Sequence, residues 1–331
     1  MRTMKSRSVQ SASKRIAKAK GLKVEVVRKA IEDALKHGNL DGEFKFLTFA
    51  GLLPVFLPDG TKIAVLPDIH VPAHDKKVMW AVKRALKEFQ PDILILIGDV
   101  ADCFSISAWP ADPSVKRDFQ AELDMTRDLI DELMEISGCY WCFYIMGNHE
   151  DRMWRMLTNV APQLANVVNP NTREKAMAVH ELLGYGPEDH VTFIYDIAER
   201  GGFGGGLVVN EDMEFHHGFI VRPSPGASPR ADSDRTGRST THGHTHRAGF
   251  SMRETTVGEI VGMELGHLVD PAHPYLAYAN LLNNWHQAIG FGSVVGGKIH
   301  MEVLPIIQMP VNGQLRKVLS WKGQDFVSSD R

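Results

Sequence analysis

The period of hydrophobic and polar positions changes at about residue 44 of this 331-residue chain, and that change divides it. Before it, Val24, Val27, Ala30, Ile31 and Leu35 recur at roughly helical spacing, with Gly38 as a stop signal. Residues 11–17 predict an earlier short helix ending near Gly21. After the change, strand and helix patterns alternate. Residues 62–66 predict a buried strand. Residues 76–89 predict an amphipathic helix with Val78, Met79, Val82, Leu86 and Phe89 on one face. The unbroken run Ile93-Leu94-Ile95-Leu96-Ile97 predicts a central strand covered on both faces. Residues 118–136 predict a second helix, apolar at Phe119, Leu123, Leu129, Ile130 and Leu133, and residues 142–146 a third strand. This order argues for an α/β layered fold.

The second half is richer in strand and turn signals. Residues 191–194, 207–209, 213–215 and 240–242 predict strands. The glycine run 201–206 predicts a hairpin turn rather than a phosphate cradle, because no Lys-Ser/Thr follows it. Residues 222–238 are polar, basic and proline-bearing, which predicts a long surface loop. Residues 283–286 and 292–299 suggest strands and a hairpin completing a second sheet. Residues 310–331 predict an edge strand and a frayed tail. The expected organisation is a basic helical appendage over residues 1–44 and one domain over 45–331.

Composition changes this picture little. At 44% hydrophobic and 23% charged, the chain reads as an ordinary soluble protein. No apolar run approaches the ~18 residues of a membrane span, and the basic N-terminus lacks the apolar region of a secretory signal. Three cysteines cannot make a disulfide framework, so a reducing, cytoplasmic location is expected. Cys139-x-x-Cys142 reads as a redox pair, as half a zinc site or as an apolar strand entrance; no second pair accompanies it, which favours the strand. The net charge of −3 argues against a wholly basic nucleic-acid binder. It conceals eleven Lys/Arg against three acids in residues 1–40. That segment is either an arm for DNA or RNA or a solvated packing segment.

Candidate chemistry lies in five motifs: Asp68-Ile69-His70, Gly98-Asp99, Gly147-Asn148-His149-Glu150, His216-His217-Gly218 and Gly243-His244-Thr245-His246. Each places Asp, Asn or His beside an expected strand end, where ligand sites of open α/β sheets form. Gly98, Gly147 and Gly243 are expected to turn the backbone so that the next side chain faces the centre. Asp-x-His can send both groups to one ion, and Gly-His-Thr-His suits two neighbouring ions. Mixed Asp, Asn and His donors suit manganese, iron, zinc or nickel better than calcium or magnesium.

In this order the motifs resemble the calcineurin-like metallophosphoesterase superfamily, over about residues 62–250. That family includes protein phosphatases, nucleases, cyclic-nucleotide phosphodiesterases and many phage-encoded enzymes. The phage-type likeness extends weakly to the Asn-Trp at 284–285. The resemblance implies an α/β fold, a two-sheet sandwich flanked by helices, with two divalent metal ions at its edge, manganese foremost. It implies that Asp68, His70, Asp99 and His246 hold one ion. Asp99 would bridge, and Asn148, His217 and His244 would hold the other. It makes His149 the catalytic histidine, near the ions but not bound to them. The family's glycine after the ligand favours His217 over His216. Adjacent strand residues point oppositely, so His216 is expected to pack behind the site.

The implied chemistry is in-line attack of a metal-bridging hydroxide on a phosphoester, with His149 protonating the leaving group. Glu150 or Asp151 could orient His149. Arg152 could bind substrate phosphate or be an exposed helix residue beside Trp154 and Arg155. Arg230, Arg235, Arg238 and Arg247 are further phosphate candidates. The remaining histidines, His267 among them, read as surface or core. The expected function is a phosphodiesterase or nuclease, with a phosphomonoesterase acting on a nucleotide, phosphoprotein or small molecule as the alternative. A non-catalytic scaffold should have lost ligands, and this chain keeps all of them.

Overall fold

The structure, a computed structural model, describes residues 52–108, 114–195, 205–256, 258–276 and 284–329. The proposed 1–44 appendage and most of the 201–206 glycine run lie outside these residues. Among the described residues the first five strands are β1 Leu52–Val55, β2 Lys62–Leu66, β3 Ile93–Ile97, β4 Trp141–Ile145 and β5 Val191–Ile194. The remaining nine are β6 Gly206–Val209, β7 Met213–His216, β8 Ser239–His242, β9 Ala248–Thr255, β10 Gly258–Leu265, β11 Ala288–Val295, β12 Lys298–Val311, β13 Gln314–Trp321 and β14 Gln324–Val327. The helices are α1 Lys76–Phe89, α2 Phe119–Ser137, α3 Asp151–Val160, α4 Val179–Leu182 and α5 Ala227–Thr236.

The five residues of β3 show how the layers arise. Ile93, Ile95 and Ile97 pack with Leu207, Val209, Phe215 and Leu265 of a second sheet. Leu94 and Leu96 pack on the other side with Val78, Val82 and Leu86 of α1 and Ile130 and Leu133 of α2. Side chains alternate across a strand, so a strand covered on both faces must be apolar throughout. One sheet has eight strands in the order β14-β13-β12-β11-β2-β3-β4-β5, with β2 to β5 parallel. The other has six, in the order β1-β6-β7-β8-β10-β9. The result is the expected α/β sandwich. Among the described residues, no helix is long and apolar enough to cross a membrane.

Helix boundaries follow local chemistry. Asp75 caps α1 by accepting the N–H groups of Lys77 and Val78, and Asp118 caps α2 by accepting that of Ala121. Cys139 and Cys142 are free, buried thiols at the entrance to β4. Burial pushes Cys139 up to about 12 and Cys142 well above its usual range. These are packing residues, as the strand-entrance reading expects.

Three expectations fail, the first over residues 284–286, which carry no strand although β11 and β12 supply the expected hairpin. Residues 222–238 contain α5, which packs on β8, β9 and β10. Its buried residues are Ser228, Pro229, Asp232 and Ser233, so no apolar period betrays it. The helix lies directly on glycine: a Cβ at Gly262 would meet the Pro229 carbonyl carbon at 2.8 Å. Residues 310–331 are also more than an edge strand and a tail, because β12, β13 and β14 form an antiparallel meander. Its turns, Asn312-Gly313 and Lys322-Gly323, have positive φ at both positions, the backbone of a tight hairpin.

The meander is anchored through α1 by aromatics. Phe291 of β11 stacks on Phe89 at 4.1 Å and meets Trp321 edge-on at 5.6 Å. Phe291→Ala should therefore lower unfolding free energy by about 3–5 kcal/mol, measured by denaturant titration. A change below about 1 kcal/mol would show that this stack does not anchor the meander.

Candidate metal centre

All five motifs lie just beyond, or at, the carboxyl ends of strands. Asp68, Asp99 and Asn148 follow β2, β3 and β4, which are neighbours in one sheet. His217 and His244 follow β7 and β8, neighbours in the other. The sandwich brings these two sets of loops together. Asp68, His70 and His246 form one group of potential ligand atoms, all within 4.8 Å of one another. Asp99, His217 and His244 form a second, and His70, Asp99 and His149 a third, to the same limit. Asn148 joins the second group, its Oδ1 lying 3.1 Å from His217 Nε2. All seven predicted ligands thus converge.

The loops reach this arrangement through unusual backbone. Asp68, His70, Asp99, His244 and His246 have φ of 42°, 54°, 50°, 63° and 57°. The left-handed region is uncommon for residues with a Cβ and costs on the order of 1–3 kcal/mol each. Gly98 turns as expected, at φ 92°. Gly147 and Gly243 have another role, which is clearance. A Cβ there would lie 2.2 Å from Asp99 Oδ1 and 2.1 Å from Asp68 Oδ2 respectively.

The donor chemistry fits divalent ions. His70 donates Nδ1–H to Asp102 Oδ2 at 2.9 Å, which leaves the Nε2 lone pair beside His246 Nε2 at 3.2 Å. His217 Nδ1 lies 3.0 Å from Ile97 O, and its Nε2 lies 3.2 Å from Asp99 Oδ2. Imidazoles that donate one N–H to a carboxylate or carbonyl and present the other nitrogen to a carboxylate-lined space are arranged as metal ligands are. Burial opposes a charge on His217, but the Asp99 carboxylate overcomes it and raises the imidazole to about 10. Burial and the neighbouring His217 lower His244 to about 4.

His149 differs from its neighbours because one of its ring nitrogens faces a guanidinium. Nδ1 lies 3.0 Å from Asp102 O and 3.3 Å from Asp102 Oδ2, and Nε2 lies 3.1 Å from Arg152 Nη2. Burial works against its charge, yet Asp99 and Asp102 raise its pKa. The orienting residue is Asp102, not Glu150 or Asp151 as the sequence suggests. Burial also works against the charge of Asp102, but His149 and His70 hold its carboxyl well below the usual range. Asp151 pairs with Arg155 at 2.6 Å.

Glu150 has a different task. Its oxygens accept the N–H groups of Asp99, Val100, Ala101 and Gly147 and the Tyr144 hydroxyl, at 2.7–3.1 Å. It clamps the Gly98 and Gly147 turns together.

Arg152 is not an exposed helix residue. It donates from Nη1 to Asp102 O at 2.8 Å and to Asp102 Oδ1 at 3.1 Å. Arg230, Arg235 and Arg238 pair with Asp234, Asp232 and Glu214 at 3.8–4.0 Å, and Arg247 donates to Arg222 O. His216 is fully buried, stacked on Phe219 at 4.3 Å and on His242 at 5.5 Å, as expected for a packed residue. The place of His267 and Trp285 beside the site was not anticipated. Their rings lie 5.1 and 4.4 Å from His246. Asp102 had a readable signal, an Asp three residues past Asp99 in the same turn; Trp285 was marked only by the phage-type Asn-Trp likeness, and His267 by nothing.

Glu150→Ala should strip five buried donors of their acceptor and destabilise the fold by at least about 3 kcal/mol, seen as a lowered unfolding midpoint. An unchanged midpoint would mean the clamp is dispensable. Because His217 stays protonated below about 10 without metal, ion uptake at neutral pH should displace about one proton. Apparent affinity should then rise roughly tenfold per pH unit. Calorimetry in buffers of different ionisation enthalpy measures this, and buffer-independent heats would contradict it.

Residues 61–248 match the family described as calcineurin-like phosphoesterase. The Gene 54 protein of Mycobacterium phage D29 is 26% identical over 274 residues, covering 78% of this chain and 99% of that protein. Its counterpart in Mycobacterium phage L5 is 25% identical over 281 residues, with the same coverage. Among solved structures, Vps29 of Chaetomium thermophilum matches with TM-score 0.38 and 10% identity, over 82% of this chain and 98% of that one. Wild-type Vps29 of Entamoeba histolytica, complexed with zinc, matches with TM-score 0.32 and 10% identity, over 74% of this chain and 98% of that one. The family match spans more than half of the chain and ends within the strand after Gly243-His244-Thr245-His246, so the chain belongs to the calcineurin-like phosphoesterase family.

Proposed function

We propose that this metal-dependent phosphoesterase cleaves phosphodiesters, nucleic acid included, at a centre of two divalent ions, manganese foremost. One observation carries the reading. Two three-residue donor groups, Asp68–His70–His246 and Asp99–His217–His244, adjoin each other, with His149 held beside them by Asp102. Asn148 would complete the second group. Ions there would supply positive charge to phosphoryl oxygens and make hydroxide available near neutral pH.

The chain's own residues supply the remainder. His149, raised by Asp99 and Asp102 despite burial, gives a proton to the leaving oxygen. Asp102 fixes the ring so that Nε2 is the transferring atom. Arg152, 3.1 Å from that nitrogen, shifts its guanidinium to a phosphoryl oxygen when substrate enters. The basic segment before residue 44 is a proposed contact for DNA or RNA.

Chelation should abolish hydrolysis of a small aryl phosphodiester, and added manganese should restore it. Turnover that survives excess chelator would defeat the metal reading. His149→Asn should keep its bound metal, counted by elemental analysis, and lose about 100-fold or more in kcat. Loss of an ion together with activity would reassign His149 as a ligand.

A further inference from the structure

We propose that Trp285 is a stacking platform for a nucleobase beside the scissile phosphate, so that the substrate is a single-stranded nucleotide chain. The inference rests on the phosphodiesterase reading above and names its substrate class.

Trp285 stands outside both hydrophobic cores. It is half-buried between exposed Asn284 and exposed His286. Its ring meets His246 at 4.4 Å and 64°, and His267 at 5.6 Å and 62°. Its indole N–H is a donor with no lone pair for an ion, so ligation does not explain its place there. The largest apolar side chain is thus set against a metal-group histidine and left partly open to solvent.

That placement is built. His286 donates its N–H to His246 O at 2.8 Å, and His267 donates its own to His286 O at 3.0 Å. Ala248 N–H donates to His286 Nδ1 at 3.3 Å. The segment carrying Trp285 is therefore bonded on one side to the Gly243–His246 loop and on the other to the end of β10. The approach needs Gly266, at φ 78°, because a Cβ there would meet His286 O at 2.1 Å. His267 is fixed in turn, its Nδ1 accepting the Val269 N–H at 3.1 Å.

Charge agrees with the aromatic. Arg247 follows His246 directly and is tied to exposed Arg222 through the Arg222 carbonyl at 2.9 Å. A partly exposed indole against His246, the residue that Arg247 follows in the chain, matches the way proteins hold single strands, with bases on aromatic faces and phosphates on cations. A duplex keeps its base faces covered, so only an unpaired nucleotide can stack there. A phosphorylated serine or an alkyl phosphate has no ring to place on the indole.

The test uses the full chain, manganese, a dinucleotide, the two dinucleotides lacking one base, and a small aryl phosphodiester. In the wild type, removing one of the two bases should lower kcat/KM by about tenfold or more. Trp285→Ala should lose the same factor on the intact dinucleotide and nothing further on that abasic one, while Trp285→Phe keeps most activity. Metal content should stay unchanged in both variants. Equal wild-type rates with and without either base would overturn the proposal, and this comparison decides even where Trp285→Ala fails to fold. Hydrolysis of the aryl diester but of no dinucleotide would defeat the substrate class and leave the phosphodiesterase reading standing. Hydrolysis of none of these compounds would defeat the reading beneath it.

Discussion

The Glu150 carboxylate holds the rest of the site in place. It is almost fully buried, where an unpaired charge is strongly unfavourable. Four backbone N–H groups from the turns after β3 and β4 surround it, with the Tyr144 hydroxyl from β4 itself. That arrangement sets where Asp99 and Asn148 can lie. Asp99 repeats the device on a smaller scale: Oδ1 accepts the His149 N–H at 2.8 Å, and Oδ2 faces His217 at 3.2 Å. Asp68 does likewise, accepting the His244 N–H across the sandwich and facing His246 at 3.3 Å. In each, one carboxylate fixes backbone and also faces an imidazole.

This bonding explains how five consecutive-motif residues with side chains persist in left-handed backbone. Isolated, each would relax. Here the turn that bends each residue also delivers its N–H or carbonyl to a partner: His70 N–H to Asp99 O, Leu268 N–H to Asp68 O, His244 N–H to Asp68 Oδ2 and His286 N–H to His246 O. Strain is concentrated where the ligand groups sit, and hydrogen bonds around them keep it there. The region also gathers Asp68, Asp99, Asp102 and Glu150, all buried. Imidazoles balance part of that charge, and cations would balance more.

The apolar framework was legible because β2, β3, α1 and α2 display their burial as period. The residues that converge were legible through the five motifs and the family they resemble, because polar residues at strand ends have no packing reason to recur. The rest was hidden for identifiable reasons. Helix α5 buries serine and proline against glycine, so hydrophobicity could not mark it. The Asn312-Gly313 turn was a usable signal, whereas Lys322-Gly323 resembled surface chain. Glu150 looked like a partner for His149 because they are adjacent, but adjacent residues at a helix start point apart, and the partner came from Asp102, 47 positions earlier. Trp285 reaches His246 through tertiary folding alone.

Strand β11 pairs with β2 antiparallel, through Phe291 opposite Ala64 and Gly292 opposite Ile63. On an emerging nascent chain, β2, β3 and β4 are made early, yet β2 remains an open sheet edge until residue 295 has been synthesised. The three loops after those strands also precede His217, His244 and His246. A ribosome-bound intermediate would carry half of the centre and an unpaired apolar edge at once. The eight-stranded sheet and the Asp/His cluster both need long-range pairing with residues from the second half of the chain, beyond what local helix formation supplies.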